Sequence, residues 1–135
     1  MNTQETKMPV DLLPQLETLM MIVCDKSGFT PDQITSGWRK KEVVDARRAF
    51  ISLAIKYTRF LKKELHRTAY HRPPALVHIG KVLGNRNHSS IHNLYGKDGE
   101  IANHCLKYDR SFDRLHTAIE VEVTKGYKAR HAYEI

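Results

Sequence analysis

Eight histidines and twenty-two lysines and arginines are the chemically conspicuous residues of this 135-residue chain. His88 and His92 stand at i, i+4, a spacing that sets two side chains on one helix face and could serve zinc. No glutamate follows His88 and no cysteine or carboxylate cluster lies nearby, so neither a metal nor any other cofactor is expected. His104-Cys105 joins the residue types of a thiol nucleophile and its base. Nothing in the sequence supplies an oxyanion site or an orienting partner, and no catalytic residue is expected. Cys24 and Cys105 are too far apart to form a metal or redox motif and read as small buried hydrophobes rather than a disulfide.

The basic residues carry more information. The formal net charge is +7 and the isoelectric point about 9.5, a balance that favours a polyanionic partner, nucleic acid first. Between Gly37 and Arg72 eleven cations (Arg39, Lys40, Lys41, Arg47, Arg48, Lys56, Arg59, Lys62, Lys63, Arg67 and Arg72) face three anions (Glu42, Asp45 and Glu64), a surplus of +8 that leaves the remainder at −1. One loop and the helix it enters thus hold the whole excess, a distribution suited to tracking phosphates. The bland alternative is a solvated helix face. The charge balance favours a polyanion over an acidic-surface receptor, and no membrane span fits: the longest apolar run, Leu19 to Cys24, is six residues, whereas a spanning helix needs about 20. The opening residues lack a basic and an apolar signal region, so a cytoplasmic location is expected.

These residues need elements to hold them. With 41% hydrophobic and 27% charged residues, the chain has the composition of a folded domain. Leu12, Leu13, Leu16, Leu19, Met20 and Val23 recur at helical spacing up to Gly28. Thr30-Pro31 opens a short helix that stops near Ser36-Gly37. Val43, Ala46, Phe50, Leu53, Ala54, Tyr57, Leu61 and Leu65 draw one stripe along a long helix, closed before Pro73-Pro74. Leu76 to Leu83 form a third short helix that Gly84 stops, and Asn87 caps a fourth carrying Ile91 and Leu94. Gly96 and Gly99 interrupt; Ile101, Cys105 and Leu106 resume the pattern, and Phe112, Leu115, Ile119 and Val123 build a last helix before Gly126. The expected fold is all-α: a flexible tail at 1–10, a single domain at 11–124 with an insert at 59–74, and a frayed tail at 125–135.

A short helix, a glycine turn and a second helix opening on small polar side chains is the arrangement that carries a helix N-terminus into a major groove. Its residues, Ile79-Gly80-Lys81-Val82-Leu83-Gly84-Asn85-Arg86-Asn87-His88-Ser89-Ser90-Ile91, resemble the signature of the C-terminal DNA-binding domain of the bacterial replication initiator DnaA. That signature reads Ile-Gly, three residues, Gly-Gly-Arg-Asp-His, two hydroxyl residues, then Val or Ile. Arg39-x-Lys41-Glu42-Val43-Val44-x-x-Arg47 is similar to the family's basic loop and the start of its long helix, and the likeness runs over residues 16 to 95. Asn85 replaces the second glycine, Asn87 replaces the acidic residue, and extra residues lie between Thr58 and Ala75. No Gly-x-x-x-x-Gly-Lys-Ser/Thr occurs, so the nucleotide-binding motor is missing and the chain resembles the short stand-alone relatives of phages and mobile elements.

The resemblance implies a Trp-repressor-like helix-turn-helix fold with an extended central helix and a C-terminal helical extension. It implies that His88, Ser89 and Ser90 read bases in the major groove with Asn87 beside them, and that Arg39 enters the adjacent minor groove. Lys40, Lys41, Arg47, Lys81 and Arg86 would hold phosphates, with bracing of the loop the equal alternative for Arg47 and Arg86. Lys62, Lys63 and Arg67 in the insert would add phosphate contacts. The expected function is sequence-specific binding of double-stranded DNA, in recognition of a replication origin or its regulation, with other replication or phage proteins as further partners and no enzymatic activity. The competing readings are a transcriptional regulator of a phage or mobile element, and a basic interaction module that binds RNA or an acidic protein.

Overall fold

The computed structural model of the chain describes residues 16–65 and 74–134, which are helical with no strand among them. The expected tail at 1–10 and residues 66–73 of the 59–74 insert, Arg67 among them, lie outside the described residues.

Helix α1 (16–27) buries Leu16, Leu19, Met20 and Val23, the face its spacing marks out. It ends where the Gly28 N–H donates to the Cys24 carbonyl at 2.9 Å. Helix α2 (Pro31–Thr35) opens with a reciprocal cap: Thr30 Oγ1 accepts from the Gln33 N–H, and Gln33 Oε1 accepts from the Thr30 N–H. Proline at the first helical position has no N–H to leave unpaired, and Ile34 is the residue that α2 buries.

Helix α3 (Lys41–Leu65) is the axis of the molecule, and α2, α4 (Pro74–Val82), α5 (His88–Tyr95), α6 (Glu100–Tyr108) and α7 (Arg110–Glu134) all pack on it. Its single expected stripe is therefore too narrow. Besides Val43, Ala46, Phe50, Leu53 and Ala54, it buries Ala49, Ile51 and Ile55 on flanking faces, because a helix surrounded by neighbours needs apolar cover around more of its circumference. Ile79 and Leu83 from the α4 end, Ile91 from α5, and Phe112 and Ile119 from α7 complete one core. Cys24 and Cys105 are free thiols, half-buried and packed against that core.

A 3-10 turn at Lys97–Gly99 joins α5 to α6. Asp109 then caps α7, its Oδ1 accepting from the Phe112 N–H at 3.2 Å. The last helix does not stop before Gly126. It continues through the expected tail to Glu134, since one interior glycine costs about 1 kcal/mol, which a long hydrogen-bonded helix tolerates. No helix of the described residues is long and apolar enough to cross a membrane.

Candidate nucleic-acid interface

The turn between α4 and α5 is fixed by backbone geometry. Gly84 (φ +88°) and Asn85 (φ +60°) are successive left-handed residues, and both N–H groups donate to the Lys81 carbonyl at 3.3 Å. Glycine takes that conformation freely, and asparagine is the side chain that tolerates it best. Asn85, which stands where the resembled signature has its second glycine, thus keeps the turn. Gly80 is required for a different reason: the Arg86 N–H donates to its carbonyl at 2.8 Å, and a Cβ there would collide with the Arg86 carbonyl. The chain then enters α5 through Asn87, whose Oδ1 accepts from the Ser90 N–H at 2.9 Å. Its acceptor oxygen is the helix cap, so its amide nitrogen is what remains for a base. Ser89 is exposed and Ser90 half-buried. His88 is the first residue of α5, and its side chain lies outside the described residues.

Two guanidinium groups tie this turn to the basic loop. Arg47, 4% exposed, donates from Nε to the Ile34 carbonyl at 2.6 Å, from Nη1 to the Trp38 carbonyl at 2.6 Å and from Nη2 to the Ser36 carbonyl at 2.7 Å. Arg86 donates from Nε to the Leu83 carbonyl at 2.9 Å and from Nη2 to the same Ser36 carbonyl. Desolvation, and secondarily the charge of Arg86, push the Arg47 pKa down from the usual arginine range. Of the two readings held open for Arg47 and Arg86, phosphate contact and bracing of the loop, the hydrogen bonds show bracing: Arg47 is almost wholly buried, and the planar fork of each is aimed at backbone carbonyls. Both are loop braces.

Lys41, expected at a phosphate, is ion-paired within the fold while its side chain stays 59% exposed. Its ammonium sits 2.7 Å from Asp45 Oδ2 and 2.9 Å from Asp109 Oδ2, which raises its pKa, while the bond from Lys41, with those from Ser111 and the Phe112 N–H, holds the Asp109 carboxyl down at about 2. A phosphate would have to displace two carboxylates. Buried Asp45 also lies 3.6 Å from Arg48 Nη1, and Arg48 Nε donates to the Leu94 carbonyl at 2.8 Å, anchoring the last turn of α5 to α3. Lys56 is paired with Glu120 of α7. Of the cations expected to contact DNA, Arg39, Lys40 and Lys81 remain outward, their side chains exposed and making no hydrogen bond or ion pair among the described residues. Lys62 and Lys63 fall in the last turns of α3, and their side chains, like all of Arg67, lie outside the described residues.

A second polar cluster escaped the sequence reading. Buried His116 of α7 sets Nε2 3.1 Å from Ser52 Oγ of α3 and Nδ1 3.8 Å from Glu120 Oε1. Burial pushes its pKa below 6.5; Glu120 and Asp113 oppose that shift and Lys56 adds to it. Serine, histidine and a carboxylate in this order suit acyl transfer, but Ser52 is mid-helix, where neighbouring N–H groups are engaged in the helix and none is aimed to stabilise an oxyanion. The cluster is a polar clasp between α3 and α7. The one available signal was His116 four residues from both Phe112 and Glu120, which places it on the apolar face beside an acid.

No family model matches this sequence, and no curated protein or solved structure matches it.

Proposed function

We propose that the chain binds double-stranded DNA sequence-specifically, as a relative of the DnaA C-terminal domain acting at a replication origin or on its regulation. Helix α5 enters the major groove with Ser89 foremost, and Arg39 enters the minor groove alongside. The observation that carries this reading is the convergence of Arg47 and Arg86 on the Ser36 carbonyl. It joins the basic loop and the turn before α5 into one rigid element, the preorganisation that reading two grooves in fixed register requires.

The fate of the basic surplus favours this over a module that binds by charge alone. Arg47, Lys41, Arg48 and Lys56 are engaged within the fold, so the outward field is narrower than the sequence suggests: Lys40 and Lys81 supply the phosphate contacts, and Arg39 the charge that enters the groove. Selection of bound duplexes from a random pool, followed by a footprint, tests it. A shared motif should emerge, and the complex should survive excess non-specific competitor. An unenriched pool, or complexes lost to competitor in proportion to its mass, would refute the reading in favour of charge-driven binding.

A further inference from the structure

Trp38 is the one tryptophan of the chain, and it stands in the loop between α2 and α3 with 48% of its surface exposed. Its backbone is held on both sides. The Trp38 N–H donates to Ser36 Oγ at 3.1 Å, and its carbonyl accepts from Arg47. Ser36 is anchored in turn, its hydroxyl donating to the Gln33 carbonyl at 2.6 Å and its own carbonyl receiving both braces. A half-exposed aromatic on a free loop tip needs no explanation. One carried on backbone fixed in this way is an apolar surface whose ordering has been met before any partner arrives.

The two residues that follow, Arg39 and Lys40, are exposed and unneutralised among the described residues. An aromatic plane beside two such cations fits a polyanion whose charges alternate with apolar faces, as phosphates alternate with deoxyribose along a DNA strand. We propose that Trp38 is a third DNA-contacting residue of the loop, packing its ring on the deoxyribose rim of the groove that Arg39 enters. The proposal rests on the duplex-binding reading above. Consecutive Cα atoms are about 3.8 Å apart, so with Arg39 in a groove its sugar–phosphate rim lies within reach of the Trp38 ring. There the indole face covers deoxyribose C–H groups and its N–H can donate to a phosphate oxygen. The contact involves no ion pair, so its contribution is independent of salt.

The single tryptophan makes the test direct. The full chain is titrated with a duplex recovered from a random pool, complex formation being followed by mobility shift and Trp38 by its fluorescence and its accessibility to acrylamide. Emission should change and acrylamide quenching should fall as the complex forms. Trp38→Ala should weaken binding about tenfold with the slope of log affinity against log salt unaltered, and Trp38→Phe should restore most of the loss. A complex that forms while emission and quenching stay as in the free protein overturns the proposal and leaves duplex binding standing. No complex with any duplex overturns both. Shielding of Trp38 by single strands or by phosphatidylserine vesicles, and not by the duplex, also overturns it. The fluorescence arm uses the unaltered chain, so the outcome does not depend on how the variants fold.

Discussion

Near its N-terminus α3 faces the basic loop through a guanidinium that meets carbonyl oxygens alone; farther along it faces α7 through a serine, a buried histidine and a Lys56–Glu120 pair. The first seam keeps a permanent charge and surrounds it with backbone dipoles, which fixes the loop at any ordinary pH. The second keeps an imidazole whose charged form is disfavoured by burial. A fork with several donors can hold an irregular loop for which no secondary structure provides partners. An imidazole bridging two helices needs to satisfy one hydroxyl. The loop that presents Trp38, Arg39 and Lys40 thus has the pH-insensitive brace, and the helix pair away from it has the sensitive one.

The contrast breaks most visibly at Arg47. Arg47→Ala leaves the Ile34, Ser36 and Trp38 carbonyls without their charged donor and should cost about 3 kcal/mol or more of folding stability in denaturant titrations. Arg47→Lys should recover little, because one ammonium cannot span three carbonyls. A loss below about 1 kcal/mol for the alanine variant would mean that the loop holds itself without the brace.

Two serines separate the seams next. Ser89→Ala should weaken binding of a selected duplex by about 1–3 kcal/mol and leave the unfolding midpoint unchanged. Ser52→Ala should do the reverse, removing about 1 kcal/mol of stability with affinity intact. Equal loss by Ser89→Ala on selected and random duplexes would demote that residue to a phosphate contact.

The histidine clasp predicts a pH dependence of definite sign. Burial lowers the His116 pKa in the fold from 6.5, so below pH 6.5 the unfolded chain takes up a proton that the folded chain resists. Stability should therefore decline as pH falls from 6.5 toward the folded-state value. His116→Gln, which cannot be protonated, should flatten that part of the curve, while Arg47→Lys should shift it without changing its slope. Parallel curves for wild type and His116→Gln would show that His116 does not govern this range.

Much of the frame was legible because helix periodicity, caps and turn residues are local. Thr30-Pro31, Asn87 and Gly84 each mark a boundary by chemistry that acts within three or four positions. Polar side chains with long-range partners were not legible. Arg47 has the same letter as a solvated arginine, and what buries it is a loop closing over it from residues 34 to 38. The +8 surplus was real as a count but misleading as a field, because Asp109 and Glu120, both from far along the chain, neutralise part of it. His116 and Trp38 were passed over for a related reason: one became significant through burial against α3, the other through the rigidity of the backbone beneath it.

Lys40 and Lys41 give the smallest effect and the finest comparison, since adjacent lysines on one exposed loop end are indistinguishable in the sequence. Lys40 Nζ makes no ion pair among the described residues, whereas Lys41 Nζ is held by Asp45 and Asp109. A cation contributes to the salt dependence of DNA binding by releasing counterions from a phosphate, and one already neutralised by carboxylates releases few. Lys40→Ala should therefore flatten the slope of log affinity against log salt by up to about 0.9, while Lys41→Ala should leave it nearly unchanged. Lys41→Ala should instead lower the midpoint of thermal unfolding slightly, by uncoupling the α3 N-terminus from the Asp109 cap of α7. Equal flattening by both variants would show that DNA draws Lys41 away from its carboxylates, and the loop would then present three cations to the backbone rather than two.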